Sequence, residues 1–228
     1  MSQGVRLIIA IDGPAGSGKS TVAKMLAKHL GINYLDTGAM YRALTWKALQ
    51  QKLNLEDENA LCRLMEQTNI RFQHEQKGLQ VFVDDINVTK EIRSPSVTNH
   101  THYISGKPRV RAIMVSLQRR IASEGDTIAE GRDMGTVVFP LAEKKFFLDA
   151  KIEERAKRRF HERGILHSEN SLDDITKEIE LRDQRDTTRK ESPLKISEDS
   201  IYVDTTHLTI NEVFHRILQE VEPLLKNK

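Results

Sequence analysis

Short apolar runs alternate with stretches of helical periodicity along most of the chain. Residues 7–11 form a continuous apolar run, a pattern typical of a strand buried on both faces of a parallel sheet. Apolar residues then recur at helical spacing from Val22 to Leu30, and Gly31 supplies a stop. Further strands are predicted at 32–35, 127–129, 146–148 and 201–203, and further helices at 40–53, 110–121 and 209–221. This alternation predicts a three-layer α/β fold in which the five strand patterns form a mainly parallel sheet.

Two segments interrupt this rhythm within a single predicted domain, residues 1–228. Residues 63–95 are predicted as a small β insertion, because apolar and polar side chains alternate at 79–83 and short strand patterns occur at 70–72 and 86–88. Residues 151–191 combine a thin apolar stripe with many charges, and about 155–190 is predicted as a mobile lid. The stripe consists of Ile152, Ala156 and Phe160. The arginines of this segment are Arg155, Arg158, Arg159, Arg163, Arg182, Arg185 and Arg189.

Charge and cysteine content exclude several classes of protein. The 35 Lys and Arg residues against 33 Asp and Glu leave a net charge of +2, which is too small for a protein that coats nucleic acid through its overall charge. Cys62 is the only cysteine, which excludes an intramolecular disulfide and a cysteine-rich zinc module. No apolar stretch approaches the roughly 20 residues that a membrane-spanning helix needs. We expect a cytoplasmic protein without a membrane partner or a stable nucleic-acid partner.

One motif predicts a site for a nucleoside triphosphate. Residues 13–20 match G-x-x-x-x-G-K-[ST] at every fixed position, between a buried-strand pattern and a helix pattern. The glycines let successive N–H groups point inward around an anion, and the following helix adds the positive end of its dipole. Lys19 can then reach the β- and γ-phosphates of ATP, and the Ser20 hydroxyl can ligate Mg²⁺. The predicted ATP-binding residues are Gly13, Pro14, Ala15, Gly16, Ser17, Gly18, Lys19, Ser20 and Thr21.

The rest of the chain favours a kinase over a switch or a motor. A guanine-binding switch would carry Asn-Lys-x-Asp, and the only Asn-Lys pair is Asn227-Lys228. A motor would end a strand in paired acids, whereas Asp149 is interpreted as an ordinary strand-end residue. Phosphoryl transfer between two bound phosphates needs converging cations and exclusion of water, and an arginine-rich lid can supply both.

Four motifs, in order along the chain, resemble those of the bacterial cytidylate kinases. They are the phosphate loop, DTGAMYR at 36–42, EGRDMGT at 130–136 and LRDQRD at 181–186. The β insertion between the second and third predicted core strands is also typical of these enzymes. The resemblance implies a P-loop kinase fold, and transfer of the γ-phosphate of ATP to CMP or dCMP with Mg²⁺ by a cytoplasmic monomer.

The resemblance also implies how the acceptor is held. Thr37 and Arg42 would bind the acceptor and its α-phosphate, and Arg132 would also contact that phosphate. Arg111 and Asp133 would read the cytosine ring. Many family members have serine where this chain has His102, so whether His102 contacts the base stays open.

The remaining implied roles concern the sugar and the charge on the transferred group. Arg182 and Asp186 would lie near the acceptor sugar. The residues expected to neutralise charge during transfer are Lys19, Arg132, Arg158, Arg182 and Arg189.

Simpler structural roles stay open for several of these positions. Asp36 is predicted to cap the helix that begins near Ala39. Tyr41 shares an apolar stripe and is predicted to pack in the core. Arg132 and Asp133 could instead form an ion pair within one turn. The polar sides of the 110–121 helix are predicted to carry Arg109, Arg111, Arg119 and Arg120.

Two other functions are compatible with the same residues. One is a kinase of the same fold that acts on UMP, AMP or another small phosphate acceptor. The other is a nucleotide-regulated RNA-binding protein that uses the same arginines. Counterion release makes RNA binding weaken steeply as salt rises, so a salt titration separates this function from a saturable CMP site.

Overall fold

The computed structural model describes residues 6–75, 78–163 and 171–226, and its elements follow the predicted alternation. The strands in this part are β1 (Ile8–Asp12), β2 (Asn33–Asp36), β3 (Ile70–Glu75), β4 (Gly78–Val83), β5 (Ile86–Asn87), β6 (Thr127–Gly131), β7 (Lys144–Asp149) and β8 (Ile201–Asp204). The helices are α1 (Lys19–Leu30), α2 (Thr37–Gln50), α3 (Glu58–Glu66), α4 (Pro95–Ser105), α5 (Pro108–Ala122), α6 (Ile152–Arg163), α7 (Leu172–Thr188) and α8 (Ile210–Lys226). Residues 164–170 of the predicted lid lie outside the described residues.

A five-stranded parallel sheet forms the centre of the first of two compact units, which comprises Met1–Leu35 and Ala122–Lys228. The strand order is β2-β6-β1-β7-β8. β1 lies in the middle, and its Ile9 and Ile11 are fully buried. The continuous apolar run predicted such a strand, and the predicted parallel sheet is confirmed.

The second unit, Asp36–Ile121, contains a smaller antiparallel sheet beside helices. Strands β3, β4 and β5 are neighbours in that order, and Ile70 pairs with Val83 across the first ladder. Val81 and Val83 are buried on one face of β4, as the alternating pattern predicts. The strands predicted within residues 63–95 are therefore confirmed.

Two helices of the first unit, α6 and α7, share a small apolar cluster. Ile152 and Ala156 of α6 pack with Ile175 and Ile179 of α7. The predicted stripe is therefore correct for Ile152 and Ala156, whereas Phe160 is 43% exposed. Among the described residues, no helix combines the length and the apolar character that spanning a membrane requires.

The carboxylate of Asp12 ties the end of β1 to the turn that follows β6. One Asp12 oxygen accepts a hydrogen bond from the N–H of Met134 at 2.9 Å, and the other accepts from the N–H of Gly135 at 2.8 Å. Burial raises the pKa of Asp12 from 3.8 to about 6, although both N–H groups oppose this change. The protein thus keeps a costly buried carboxyl group that joins two loops of the first unit.

We expect the unfolding free energy to carry the signature of Asp12 as pH changes. Because its pKa is higher in the folded state, its contribution to stability is fully present below about pH 4 and is lost as pH rises through about 6, by up to about 3 kcal/mol. Urea unfolding of the wild type and of Asp12→Asn across this range measures it. The difference in unfolding free energy, wild type minus variant, should fall over this window, and a constant difference would contradict the assignment.

Candidate active site

The loop between β1 and α1 has a backbone shape that only glycine permits at two positions. Gly13 has φ +150°, and a Cβ there would overlap the carbonyl oxygen of Leu148. Gly16 has φ +77°, and a Cβ there would lie 2.8 Å from the carbonyl oxygen of Arg155. The tight turn leads directly into α1. The loop can therefore present its N–H groups and the N-terminus of α1 to an anion.

Lys19 is the buried cation of this phosphate loop. It is 6% exposed, and its Nζ donates to the carbonyl oxygen of Pro14 at 3.0 Å. Burial, followed by repulsion from Arg132, lowers the pKa of Lys19 from 10.5 to about 7, although Glu130 opposes the change. The amine is thus partly neutral near pH 7, and a nearby anion would favour its charged form. Thr21, also a predicted ATP-binding residue, is exposed in the first turn of α1.

Ser20 donates its hydroxyl proton to a buried carboxylate. Its Oγ lies 2.7 Å from Oε1 of Glu130, and the hydroxyl of Tyr34 donates to the same oxygen at 3.2 Å. A hydroxyl whose O–H donates a hydrogen bond to a carboxylate leaves its oxygen lone pairs for a cation, so Ser20 fits the predicted role toward Mg²⁺. No role was predicted for Glu130 or Tyr34. The position of Glu130 near the carboxyl end of a buried strand is the sequence feature that could have indicated a functional role.

Asp186 gathers several of the predicted cationic residues. Its Oδ2 accepts a hydrogen bond from Nε of Arg132 at 2.8 Å and lies 4.0 Å from Nε of Arg182. Burial alone would raise the pKa of Asp186, but the charges of Arg132 and Arg182 outweigh burial, and the pKa is lowered. Arg189 acts in the same direction, and Lys19 also interacts electrostatically with Asp186. These predicted site residues form one electrostatic cluster.

Asp133 lies beside another predicted arginine. It is 3% exposed, and its Oδ1 is 3.9 Å from Nη2 of Arg189. Arg189 is held in turn by a hydrogen bond from its Nε to the carbonyl oxygen of Ser192 at 2.6 Å. The alternative of a local pair between Arg132 and Asp133 does not account for Arg132, whose ion pair is with Asp186.

Arg158, on α6, is held next to the phosphate loop. Its guanidinium donates to the hydroxyl of Thr205 at 2.9 Å and to the carbonyl oxygen of Thr205 at 2.6 Å. The Thr205 hydroxyl in turn lies 3.2 Å from the carbonyl oxygen of Ser17. A Cβ at Gly18 would be 4.0 Å from Nη1 of Arg158. A charged group in this place can act on an anion bound by the loop.

Arg155 supports the loop from the same helix. It is 7% exposed and donates to the carbonyl oxygens of Ala15 at 3.2 Å and Ala150 at 2.8 Å. It also forms an ion pair with Asp183 of α7. No spacing in the sequence separates Arg155 from the other arginines of the predicted lid, so its supporting role is visible only from its burial and its partners.

The predicted acceptor residues Thr37, Arg42 and Arg111 belong to the second unit. Arg111 is 4% exposed, its guanidinium lies 5.5 Å from the ring centroid of Tyr41, and it donates to the carbonyl oxygen of Ser105 at 3.1 Å. The prediction that Arg111 lies on a polar side of its helix is therefore wrong. Tyr41 is buried, as predicted, and Thr37 is 3% exposed at the start of α2.

Asp36 caps α2, as predicted. Its Oδ1 accepts a hydrogen bond from the N–H of Ala39 at 2.7 Å. The same carboxylate forms an ion pair with Arg42, whose Nη2 lies 3.3 Å from Oδ2. The cap residue therefore also contacts one of the predicted phosphate-binding residues.

Comparison with known proteins places most of the chain within one family. The family model described as Cytidylate kinase matches residues 9–223. Cytidylate kinases of Streptococcus pneumoniae strain 70585 and of Streptococcus pneumoniae serotype 4 (strain ATCC BAA-334 / TIGR4) are each 51% identical over 215 residues, covering 94% of this chain and 96% of the relative. A crystal structure of an uncharacterized protein from Eubacterium ventriosum ATCC 27560 has a TM-score of 0.51 and 14% identity, and the match covers 95% of this chain and 99% of that one. The last likeness concerns the fold alone.

Binding of ATP should be accompanied by proton uptake at Lys19, because phosphate charge favours the ammonium form. With a pKa of about 7 in the free protein, Lys19 should take up about half a proton at pH 7 and about nine-tenths at pH 8. Calorimetric titration in buffers of different ionisation enthalpy measures this uptake. Lys19→Arg is the control, since arginine keeps the positive charge and does not titrate. Equal uptake by the two proteins would show that Lys19 is already charged.

Proposed function

The chain belongs to the cytidylate kinase family, and we propose on that premise that it transfers the γ-phosphoryl group of ATP to CMP and dCMP. The observation that carries the proposal is the convergence of Lys19, Arg132 and Arg182 around Asp186, at the phosphate loop. Phosphoryl transfer between two phosphates needs such converging cations. The Arg132 side chain is only 14% exposed and is paired with Asp186, which favours a site for a small phosphate over an RNA-binding surface.

The reaction needs no strong base, because a phosphate acceptor is already ionised near neutral pH. Catalysis would come from in-line positioning and from neutralisation of charge. Lys19 would contact the β- and γ-phosphates, and Arg132 and Arg182 would neutralise the migrating group. Arg158, held over Thr205 beside the phosphate loop, would act on the same charge. We place Arg189 in this set because it too acts electrostatically on Asp186.

Ser20 and Glu130 are the residues that would hold Mg²⁺. Ser20 would offer its oxygen lone pairs while its O–H donates a hydrogen bond to Glu130, and Tyr34 would keep that carboxylate in place. When bound, the ion supplies positive charge to the β- and γ-phosphate oxygens. Glu130 also attracts Lys19 and Arg132, so it serves the cationic cluster as well.

The acceptor contacts are assigned residue by residue. Thr37 and Arg42 would bind the α-phosphate. Arg111, whose guanidinium is fixed by its contacts in the second unit, would donate to N3 of cytosine. Asp133 would accept a hydrogen bond from the 4-amino group. The sugar is assigned to Arg182 and Asp186.

The proposal extends to two larger segments and to the setting of the reaction. Residues 63–95 are proposed as an acceptor-binding insertion and about 155–190 as a lid, which includes α6 and α7 with their arginines. We propose a monomer that works in the cytoplasm on free nucleotides. The buried free thiol of Cys62 suits a reducing compartment.

An assay of ADP release with CMP, dCMP, UMP and AMP tests the function, together with Lys19→Ala. The wild type should show its highest kcat/KM with CMP and dCMP. Lys19→Ala should keep its fold but lose at least about a hundredfold in kcat, or about 2.7 kcal/mol, because the cation that meets the transferred phosphate is gone. Lys28→Ala, on an exposed position of the same helix, is the matched control. Preference for UMP or AMP, or near-normal turnover of Lys19→Ala, would contradict the proposal.

Asp133→Ala should relax the choice of base. A carboxylate accepts a hydrogen bond from the 4-amino group of cytosine but repels the 4-oxo group of uracil. A single residue can therefore favour cytosine and disfavour uracil. The variant should lose at least about tenfold in kcat/KM for CMP, near 1.4 kcal/mol, and much less for UMP. Both substrates are measured in both proteins at saturating ATP. An unchanged ratio of CMP to UMP in a folded variant would remove Asp133 from base recognition and turn attention to His102.

A further inference from the structure

Arg42 lies back over the first turn of its own helix and pairs with the residue that caps it. Its Nη2 is 3.4 Å from Oδ1 and 3.3 Å from Oδ2 of Asp36. The carboxylate side chain is 6% exposed and the arginine side chain 19%. Capping requires only the hydrogen bond that Asp36 accepts from the N–H of Ala39, so the contact with Arg42 is an additional interaction.

Gly38 makes room for this arrangement. A Cβ at that position would lie 3.0 Å from Nη1 of Arg42 and 3.3 Å from Oδ1 of Asp36. Both distances are tighter than ordinary van der Waals contact, so a side chain there would push the guanidinium away from the carboxylate. Glycine is a weaker helix former than alanine, and here it leaves the space that the ion pair needs.

The ion pair with Asp36 involves only one edge of the Arg42 guanidinium. Nε of Arg42 is buried and has no hydrogen-bond partner among the residues that the structure describes. The contacts of 3.3–3.4 Å to Asp36 are also longer than the 2.7–2.9 Å typical of charge-assisted hydrogen bonds. A guanidinium held loosely on one edge, with a buried N–H still to be satisfied, is suited to receive an oxyanion.

We propose that Asp36 is a positioning residue for the acceptor's phosphate. It holds Arg42 in the orientation in which the buried Nε–H meets a phosphate oxygen, and Gly38 provides the space. This inference rests on the proposed function, in which Arg42 binds the α-phosphate of the acceptor. It adds a role for Asp36 that capping of α2 does not explain.

The sign of one measurement separates three roles for Asp36. Asp36→Asn keeps an oxygen that can cap α2 but replaces the charge that holds Arg42 with an amide. If Asp36 only competes with the phosphate for Arg42, the variant should bind CMP more tightly. If Asp36 is only a cap, binding should not change. If it positions Arg42, binding should weaken.

The experiment compares CMP with cytidine, which lacks the phosphate. For Asp36→Asn, the Kd and KM for CMP should rise by about tenfold, while the Kd for cytidine and the KM for ATP stay unchanged. Asp57→Asn is the matched control, because Asp57 caps α3 in the same unit by accepting from the N–H of Ala60 at 3.0 Å. It should change none of these values. Melting temperatures check that each variant is folded.

Gly38→Ala should also move the guanidinium of Arg42 away from Asp36, and it does so without changing any charge. It should also weaken CMP binding and leave cytidine binding intact. Unchanged or tighter CMP binding by Asp36→Asn, or equal losses for CMP and cytidine, would overturn the inference. Failure of the wild type to phosphorylate CMP would instead overturn the proposed function. In that case inorganic phosphate replaces CMP as the probe, and its Kd should still rise in both variants if Asp36 positions Arg42.

Discussion

Compensation of closely spaced positive charges by two carboxylates is the constraint on which the rest of this structure depends. Lys19, Arg132 and Arg182 lie close enough together that the arginines lower the pKa of the lysine, and Glu130 and Asp186 oppose this effect. An arginine cannot relieve repulsion by losing its proton, so the carboxylates must hold the cluster together. Because the cations already converge in the folded protein, bound phosphates would not have to gather them at the moment of reaction.

Two ionisable groups of the first unit are buried in surroundings that disfavour their charged forms. The buried carboxylate of Asp12 accepts hydrogen bonds from the N–H groups of Met134 and Gly135, just after Arg132, and burial raises its pKa. Lys19, with its lowered pKa, is the cationic counterpart. Groups that would be more stable in water are thus retained where they place charge and backbone around the phosphate loop, a trade that is common at functional sites.

The parts of this structure that can be predicted from sequence are those encoded by residues close together along the chain. The apolar run of β1 and the capping of α2 by Asp36 are of this kind, and both are present. Partner choice across the sheet is not local: Tyr34 meets Glu130 only because β2 and β6 become neighbours. Helical periodicity also cannot distinguish an arginine that packs on an aromatic ring from one that is exposed to water. For this reason the pattern predicts a polar, solvent-facing position for Arg111, whose guanidinium in fact lies over the ring of Tyr41. The expectation that Lys19, Arg132 and Arg182 act together rests on family resemblance.

The wide separation along the chain of the groups around the phosphate loop has a consequence for biosynthesis. Ile8 of β1 pairs with Thr127, and the Ser17 carbonyl meets Thr205, 188 positions further on. During synthesis, β1 therefore emerges long before β6, β7 and the Thr205 segment can join it. An apolar strand without partners is prone to pair with other chains, so β1 is exposed to wrong pairing during this interval. The phosphate loop gains its contact with Thr205 only at the end of synthesis, after nearly all of the chain has been made.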